Sequence, residues 1–450
     1  MTRYKITKKD LQIFGAGAVV NGTEAYVNAN NGVTEKYTSS GLSAEMKTFY
    51  DKTLIELAGP NLVFDQFGQK RPIPKNGGKT IEFRKFNSLP KAMTPIAEGV
   101  TPNGSKLTVV PVSTNVDQYG DYVELTDMLE LTSVDPIVVE ATKQLASQAG
   151  RTIDTVVRNQ IIGGTNVNFC SAVSSDGTEE IIDRRYKLKP SATLKVRDVF
   201  KAAAQLKAMN APTFDGSYVA VIHPYVAFDL MQDAKGQWID IQKYADPSAI
   251  LRGEIGTLGG VRFVQSTEAK VIVGKNLCAS SKTLTPSSFS ADATDSSCTY
   301  GNPTPYKMVV SETIDVSLLG REISFYDASE GKYTHSMVIG VTPSSKSVYI
   351  ANNLNATVAT GDKVYPGESG EGGCPVYLTM FLGANAYGTT DIAGGGIEHI
   401  VKQKGYGNDP LNQRSSVGWK ATKAACRLVE QYMLRVESGS SFSSSTIEDN

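Results

Sequence analysis

The 450-residue chain has little of what catalytic sites are ordinarily built from. Only three histidines occur, His223, His335 and His399. No HExxH pattern is present and no two histidines lie within helical reach, so a two-histidine zinc site has no source. The five cysteines, at 170, 278, 298, 374 and 426, are odd in number and widely spaced. That excludes a CxxC clip and argues against a disulfide framework, and a reducing, cytosolic site of synthesis is expected. No run approaches the roughly 18 consecutive apolar residues of a membrane span. The first residues lack the continuous apolar stretch of a secretory signal, because Asp10 and Gln12 interrupt it. An excess of one charge is missing too: Lys and Arg total 45, Asp and Glu 46. A protein that coats nucleic acid carries a basic excess, so any phosphate contact here is local. Arg3, Lys5, Lys8 and Lys9 are a candidate for it, with a solvated terminus as the plainer reading.

Motifs that resemble chemistry fail on inspection. Asn76-Gly77-Gly78-Lys79-Thr80 ends like a phosphate-binding loop. Such a loop needs a glycine where Ile73 stands and a helix afterwards, whereas a strand pattern follows. Gly394-Gly395-Gly396 lacks dinucleotide-binding spacing, and no GxSxG elbow occurs. His223, before Pro224, reads as a locally bonded turn histidine. Asp117 with Asp121, or Glu124 with Asp127, could in principle hold a cation, but a solvated strand face explains them. No catalytic, cofactor-binding or metal-ligating residue is assigned, and the chain is not read as an enzyme.

What is present has the makings of an extended, many-surfaced molecule of α+β class. Residues 1–60 read as a polar arm ending in a short helix, Leu42 to Leu57, stopped by Gly59-Pro60. Residues 61–125 hold strand-like runs at Thr80–Phe86, Leu107–Val116 and Tyr119–Leu125. Between the first two lies SLPKAMTPIAEGVTPNGSK, with three prolines and two glycines. Such a ribbon cannot build a core beneath itself and is suited to lie on a neighbour. Pro136 to Ile162 carries apolar residues at helical spacing after Asp135-Pro136 and before Gly163-Gly164, which predicts one helix about 40 Å long. Gly150, near its middle, offers a place for a bend. An α/β unit is expected over 190–275, with helices at Val196–Met209 and after His223-Pro224, and strands at Tyr218–Ile222 and Val261–Val264. Residues 276–370 open Ser/Thr-rich and continue in short β-type runs, read as a small all-β subdomain inserted into that unit. Val376–Phe381 and Arg427–Val436 are expected as later strands, and 438–450 as a disordered tail.

Five stretches, LIELAGPNLVFDQFGQKRPIPKNGGKTIEFRKF (54–86), YGDYVELTDMLELTSVDPIVVEA (119–141), QAGRTIDTVVRNQI (148–161), KYADPSAILRGEIGTLGGVRFVQS (243–266) and DPLNQRSSVGWKA (409–421), occur in this order. In them the chain resembles tailed-bacteriophage major capsid proteins of the Hong Kong 97-type fold, in the podophage N-four-like branch. The resemblance implies an N-arm over 1–60, an E-loop over 61–125, and a P-domain with its spine helix over 126–189. It also implies an A-domain over 190–275 with a return over 371–405, and a P-domain C-terminal part over 406–437. The β-rich 276–370 is the stretch it matches least.

A subunit of this kind self-assembles as hexamers and pentamers into an icosahedral shell around double-stranded DNA. Its implied partners are copies of itself, a portal protein, a scaffolding protein and a decoration protein, with only non-specific contact to the packaged DNA, no membrane and no cofactor. Its place is the virion capsid, after synthesis in the bacterial host cytoplasm. Subunit contacts are expected from Phe83, Arg84 and Phe86 at the ribbon's base and from Lys91, Glu98 and Lys106 along it. Trp419 is either an interface anchor or a P-domain core residue. Three other readings stand beside this one. An encapsulin-like shell is disfavoured by length, a carboxylate hydrolase by the lack of a convergent cluster, and an adhesin or tail component by the helix and α/β unit.

Overall fold

The computed structural model describes residues 63–442 apart from 75, 87–88, 90, 94, 96–97, 100–103, 134–136, 174–177, 235–238, 241–252, 280, 292–305, 352–357, 393–397, 403 and 405–410. The expected arm and its short helix lie outside the described residues. The principal elements, in chain order, are β1 (Thr80–Phe86), β2 (Val109–Asn115), β3 (Asp117–Thr126), α1 (Asp127–Thr132), α2 (Ile137–Ile162), α3 (Val196–Ala208), β4 (Tyr218–Ile222), α4 (Pro224–Ala234), β5 (Val261–Gln265), β6 (Val376–Leu382), β7 (Arg414–Arg427) and β8 (Met433–Ser438).

β4 reads YVAVI and β6 VYLTMFL, and every residue of both is buried. Continuous apolar runs of this kind belong to strands covered on both faces. They lie at the centre of a mixed sheet running Val167–Phe169, β8, β6, β4, β5, Glu254–Leu258, Ile239–Asp240. β5 is parallel to β4, and β6 antiparallel to it. Tyr218, Ala220 and Ile222 point to one side, where Val199, Ala202 and Leu206 of α3 and Val226, Ala227 and Leu230 of α4 pack on them. Val219 and Val221 point to the other, onto Val157 and Ile161 of α2 and onto Phe64 and Phe67.

α2 serves a second sheet as well. Its earlier turns place Leu145, Ala149 and Ile153 on Val417, Trp419 and Ala421 of β7. β7 pairs with β3 over ten residues, from Arg414↔Thr126 to Lys423↔Asp117. Glu398–Lys402 lies on its other edge and Tyr387–Thr390 continues the sheet. At 26 residues α2 is about 39 Å long, so one helix underlies both sheets. Its last turn is held by Arg435 of β8, whose Nη1 donates to the carbonyls of Ile162 and Gly164. A cation there completes unsatisfied carbonyls and suits the helix dipole. Arg435 also lies 2.9 Å from Glu437, a fully buried carboxylate that Arg185 clasps with two hydrogen bonds of 2.6 Å.

A third sheet is built from Pro286–Ala291, Tyr306–Val310, Ser347–Ile350, Lys332–Thr342, Glu322–Asp327 and Val364–Pro366, in that spatial order. Its own core includes Met308, Leu318, Ile323, Phe325, Val348 and Val364. In chain order it falls between Val271–Ile272 and β6, two strands that pair with each other in the first sheet. Its ends meet there: a Cβ on Gly274 would come within 2.5 Å of Pro366.

The structure departs from the sequence reading at three places in the C-terminal part. The expected strand Arg427–Val436 is broken. The amides of Leu428 and Val429 both bond the carbonyl of Ala386, and a 3-10 turn at Glu430–Tyr432 carries the chain from β7 into β8, in a different sheet. Tyr387–Thr390 and Glu398–Lys402 join β7 rather than returning to the sheet of β4, while β8 joins β6. Finally, Ser440 and Ser441 hydrogen-bond the Asp229 carboxylate on α4. Phe442 stacks on Tyr225 with ring centroids 4.8 Å apart, so the tail is packed as far as Phe442.

Candidate assembly surface

β1 and β2 form a two-stranded antiparallel ribbon in register from Thr80↔Asn115 to Phe86↔Val109. No residue of β2 is fully buried. Leu89, Leu107, Val109 and Val110 are exposed, and Met93 is 81% exposed. Two strands alone cannot shelter both of their faces, and among the described residues the ribbon meets the body at its base. At that base the two strands are tied to each other: Thr80 donates to Asn115 (2.6 Å), the amide of Val116 to the carbonyl of Lys79 (2.9 Å), and Lys79 pairs with Asp117 at 3.6 Å.

The anchor of that end is Phe83. Its ring is 2% exposed and fills the space over Gly388, where a Cβ would come within 2.7 Å of it. The Arg71 guanidinium lies 6.0 Å from the ring centroid. Burying a side chain of this size contributes about 1.5–3 kcal/mol. Phe83 therefore fastens the ribbon to its own chain. Arg84, Lys91, Glu98 and Lys106 are exposed. Arg84 lies 3.4 Å from Glu82, and both side chains face solvent. Phe86 pairs through its backbone with Val109, and its side chain is outside the described residues. Trp419 is 5% exposed in the core between α2 and β7, and its Nε1 donates to Gln148 at 3.1 Å.

A second fixed point lies at residues 64–67. The 3-10 turn Phe64–Phe67 is clasped from three sides. Asp154 of α2 accepts the amide of Phe64 (2.8 Å), and the hydroxyl of Tyr387 donates to the Phe64 carbonyl. Asp65 lies 2.5 Å from Lys423 of β7 and 3.1 Å from Lys70. Burial alone would raise the Asp65 carboxyl, but Lys423 and Lys70 outweigh it and hold it below the usual range. Asp154 has no such cation. Burial raises it to about 7, with the charges of Asp65 and Glu268 adding to the effect. Sequence reasoning missed this clasp, since nothing in FDQF marks it as a root.

The candidate chemical groups stay apart. His223 is pushed down to about 4 by burial, and its Nδ1 accepts the amide of Tyr225 (3.2 Å), as a turn histidine does. His335 stacks on Tyr186 at 4.4 Å, and His399 pairs by its backbone with Trp419. Burial pushes the thiols of Cys374 and Cys426 up to about 12 and 11. Among the described residues no group of three His, Cys, Asp or Glu is placed to hold a metal, and no helix is long and apolar enough to cross a membrane.

Comparison with known proteins follows the same line. A family model described as phage capsid protein matches residues 109–313. The capsid of Ralstonia phage GP4 superposes with TM-score 0.51 at 12% identity, over 89% of this chain and 96% of that one. The capsid of cyanophage P-SCSP1u gives 0.48 at 12% identity, over 88% and 93%. An encapsulin complex from Synechococcus elongatus gives 0.42 at 8% identity, over 90% and 98%. Of these three, the Ralstonia phage capsid is near enough to establish a shared fold. No curated protein sequence matches.

Proposed function

We infer that a chain whose residues 109–313 match the phage capsid protein family is a major capsid subunit, a structural protein that builds the head shell of a phage. The fold is α+β and of the tailed-phage capsid kind, as the Ralstonia phage match has it. On this reading the product is an assembly of many copies, and its place is the virion.

The finer assignments are proposals. The ribbon β1–β2 is the E-loop, α2 the spine helix of a P-domain built on β3 and β7, and the sheet of β4 the core of the A-domain. The segment before Val63 is the N-arm, with its root at the Asp154 clasp. Hexamers and pentamers close an icosahedral shell around double-stranded DNA, which is touched non-specifically. Portal, scaffolding and decoration proteins are the further partners, the N-four-like podophages the nearest branch, and the bacterial cytoplasm the site of synthesis.

The observation that carries the reading is a ribbon that its own chain leaves uncovered. A long apolar, unpaired ribbon is an aggregation liability in a free monomer. In a closed shell the same ribbon adds a contact that becomes effectively intramolecular once the first ones form. Deleting residues 88–104 is expected to leave a folded chain, judged by circular dichroism, that forms no shells in electron micrographs. Normal shells from that deletion would remove the ribbon from the mechanism.

A further inference from the structure

We propose that Lys423 and Asp65 join as an amide within one chain, a covalent tie between β7 and the turn at 64–67. The proposal concerns the folded subunit and stands apart from the shell reading.

Lysine and aspartate usually pair at the surface, where water surrounds and screens them. Here the Lys423 Nζ lies 2.5 Å from Oδ1 of Asp65, with side chains only 9% and 14% exposed. Lys423 is the one buried lysine among the described residues. The turn that carries Asp65 sits in an apolar core with Val157, Tyr387 and Ala425. Two further groups complete the setting. Lys70 lies 3.1 Å from the other oxygen, Oδ2, and reaches it from solvent. Asp154, 1% exposed, grips the amide of Phe64, the residue before Asp65, through Oδ1. Its Oδ2 is buried with no hydrogen-bond partner. A buried polar oxygen left unsatisfied is uncommon, and a chemical role is one reason to keep it. Burial holds the proton of this carboxyl up to about 7, so the group is available as an acid.

An amine, a carboxyl and a neutral acid enclosed together are the components of amide formation. An ammonium has no lone pair, so the step begins when Nζ passes one proton to Oδ1. The lone pair of Nζ then attacks Cγ of Asp65, and the Nζ–Cγ bond forms. Negative charge gathers on Oδ2, where Lys70 stabilises it. The Cγ–Oδ1 bond breaks last. Asp154 gives its proton to the departing oxygen and takes a replacement from Nζ, as a general acid and base. The amide keeps one of the three ammonium protons, and water carries away the other two with Oδ1. Nothing is oxidised or reduced, and no external reagent is consumed. The fold replaces chemical activation by holding the two groups in contact with water excluded. The ion pair is the state of the newly folded chain, and coupling follows it.

The test is the mass of the full-length chain, taken directly after refolding and again after incubation at neutral pH. The aged chain is expected to weigh one water less than the fresh one. In a tryptic digest residues 53–70 should then appear joined to residues 421–427, with no cleavage after Lys423. Lys423→Arg keeps the charge without a nucleophilic amine and is expected to retain full mass. Asp65→Asn offers the same carbon with a different leaving group, and is expected to lose one ammonia in place of the water. In a denaturing gel the coupled chain, closed into a loop, should migrate faster than the Lys423→Arg chain. Full mass in the aged chain, with both tryptic peptides linear, overturns the proposal. So does a loss of water that maps to Lys70 or to any other pair, or one that persists in Lys423→Arg. If the arginine variant fails to fold, the peptide map of the unaltered chain decides alone.

Discussion

Asp154 shows what a single buried side chain contributes to this molecule. It is 1% exposed, grips the amide of Phe64, and is held neutral up to about pH 7. In an unfolded chain an aspartate loses its proton near pH 4. Between those values the folded state carries the extra proton, so stability is full at the acid end and falls as pH rises toward 7. The neighbouring charges are Asp65 with its cations Lys423 and Lys70, and Glu268, which pairs with Arg151. Asp154→Asn keeps an acceptor for the Phe64 amide without a charge to bury. Thermal unfolding of this variant is expected to lose most of the decline between pH 5 and 8 and to give a higher midpoint than the native chain at pH 8. An unchanged pH profile would remove Asp154 as its source. Asp65 works in the opposite direction: held low by lysines, it stabilises at neutral pH and is lost on acidification.

At the scale of elements, the joint between ribbon and body is a ring seated on a glycine. Gly388→Val would drive a side chain into Phe83, and overpacking of this kind costs about 1–3 kcal/mol. Faster proteolysis within 88–106, with little change in overall circular dichroism, is the expected outcome. Uniform loss of structure would instead mean that Gly388 matters to the whole sheet. The ribbon was legible in the sequence because proline and glycine between two strand patterns leave a segment no way to bury itself. α2 was legible through the spacing of Ile137, Leu145, Ala149, Ile153 and Ile161 and the glycines after it. β7 was not. RSSVGWKATKAACR is poor in β-branched residues, and it is a strand because β3 and Glu398–Lys402 supply ladders on its two edges. Tertiary context overrode propensity there. The burial of Phe83 was hidden for a similar reason, since its partner lies 305 positions along the chain at Gly388.

For the whole molecule, the third sheet leaves and re-enters the body at neighbouring points. It has its own core, and its entry and exit meet at Gly274 and Pro366. Replacing residues 275–365 by a short glycine-serine bridge is expected to leave the pairing of Val271–Ile272 with β6 intact. The shortened chain should unfold cooperatively, with a midpoint lowered by the lost contacts at Tyr186–His335 and at the Gly367 amide with the Glu322 carbonyl. Absence of a cooperative transition by calorimetry would show that the sheet is needed for the body to fold. Sequence reasoning marked this stretch as β-rich. It did not foresee that Pro286–Ala291, inside the Ser/Thr-rich part, is one of the strands, because serine in a strand is decided by its neighbours rather than by preference.

In mechanical terms α2 is a beam clamped at both ends. One half is bedded in the sheet of β7, the other in the sheet of β4, and Arg435 pins the far tip. A tilt of 5° about one clamp would move the other by roughly 3 Å over this length, more than a packed core absorbs without repacking. A load on either sheet is thus shared by both, and the body strains as one piece. On the shell reading proposed above, whatever must give when many copies are forced onto a curved surface is left to the parts outside that frame, the ribbon among them.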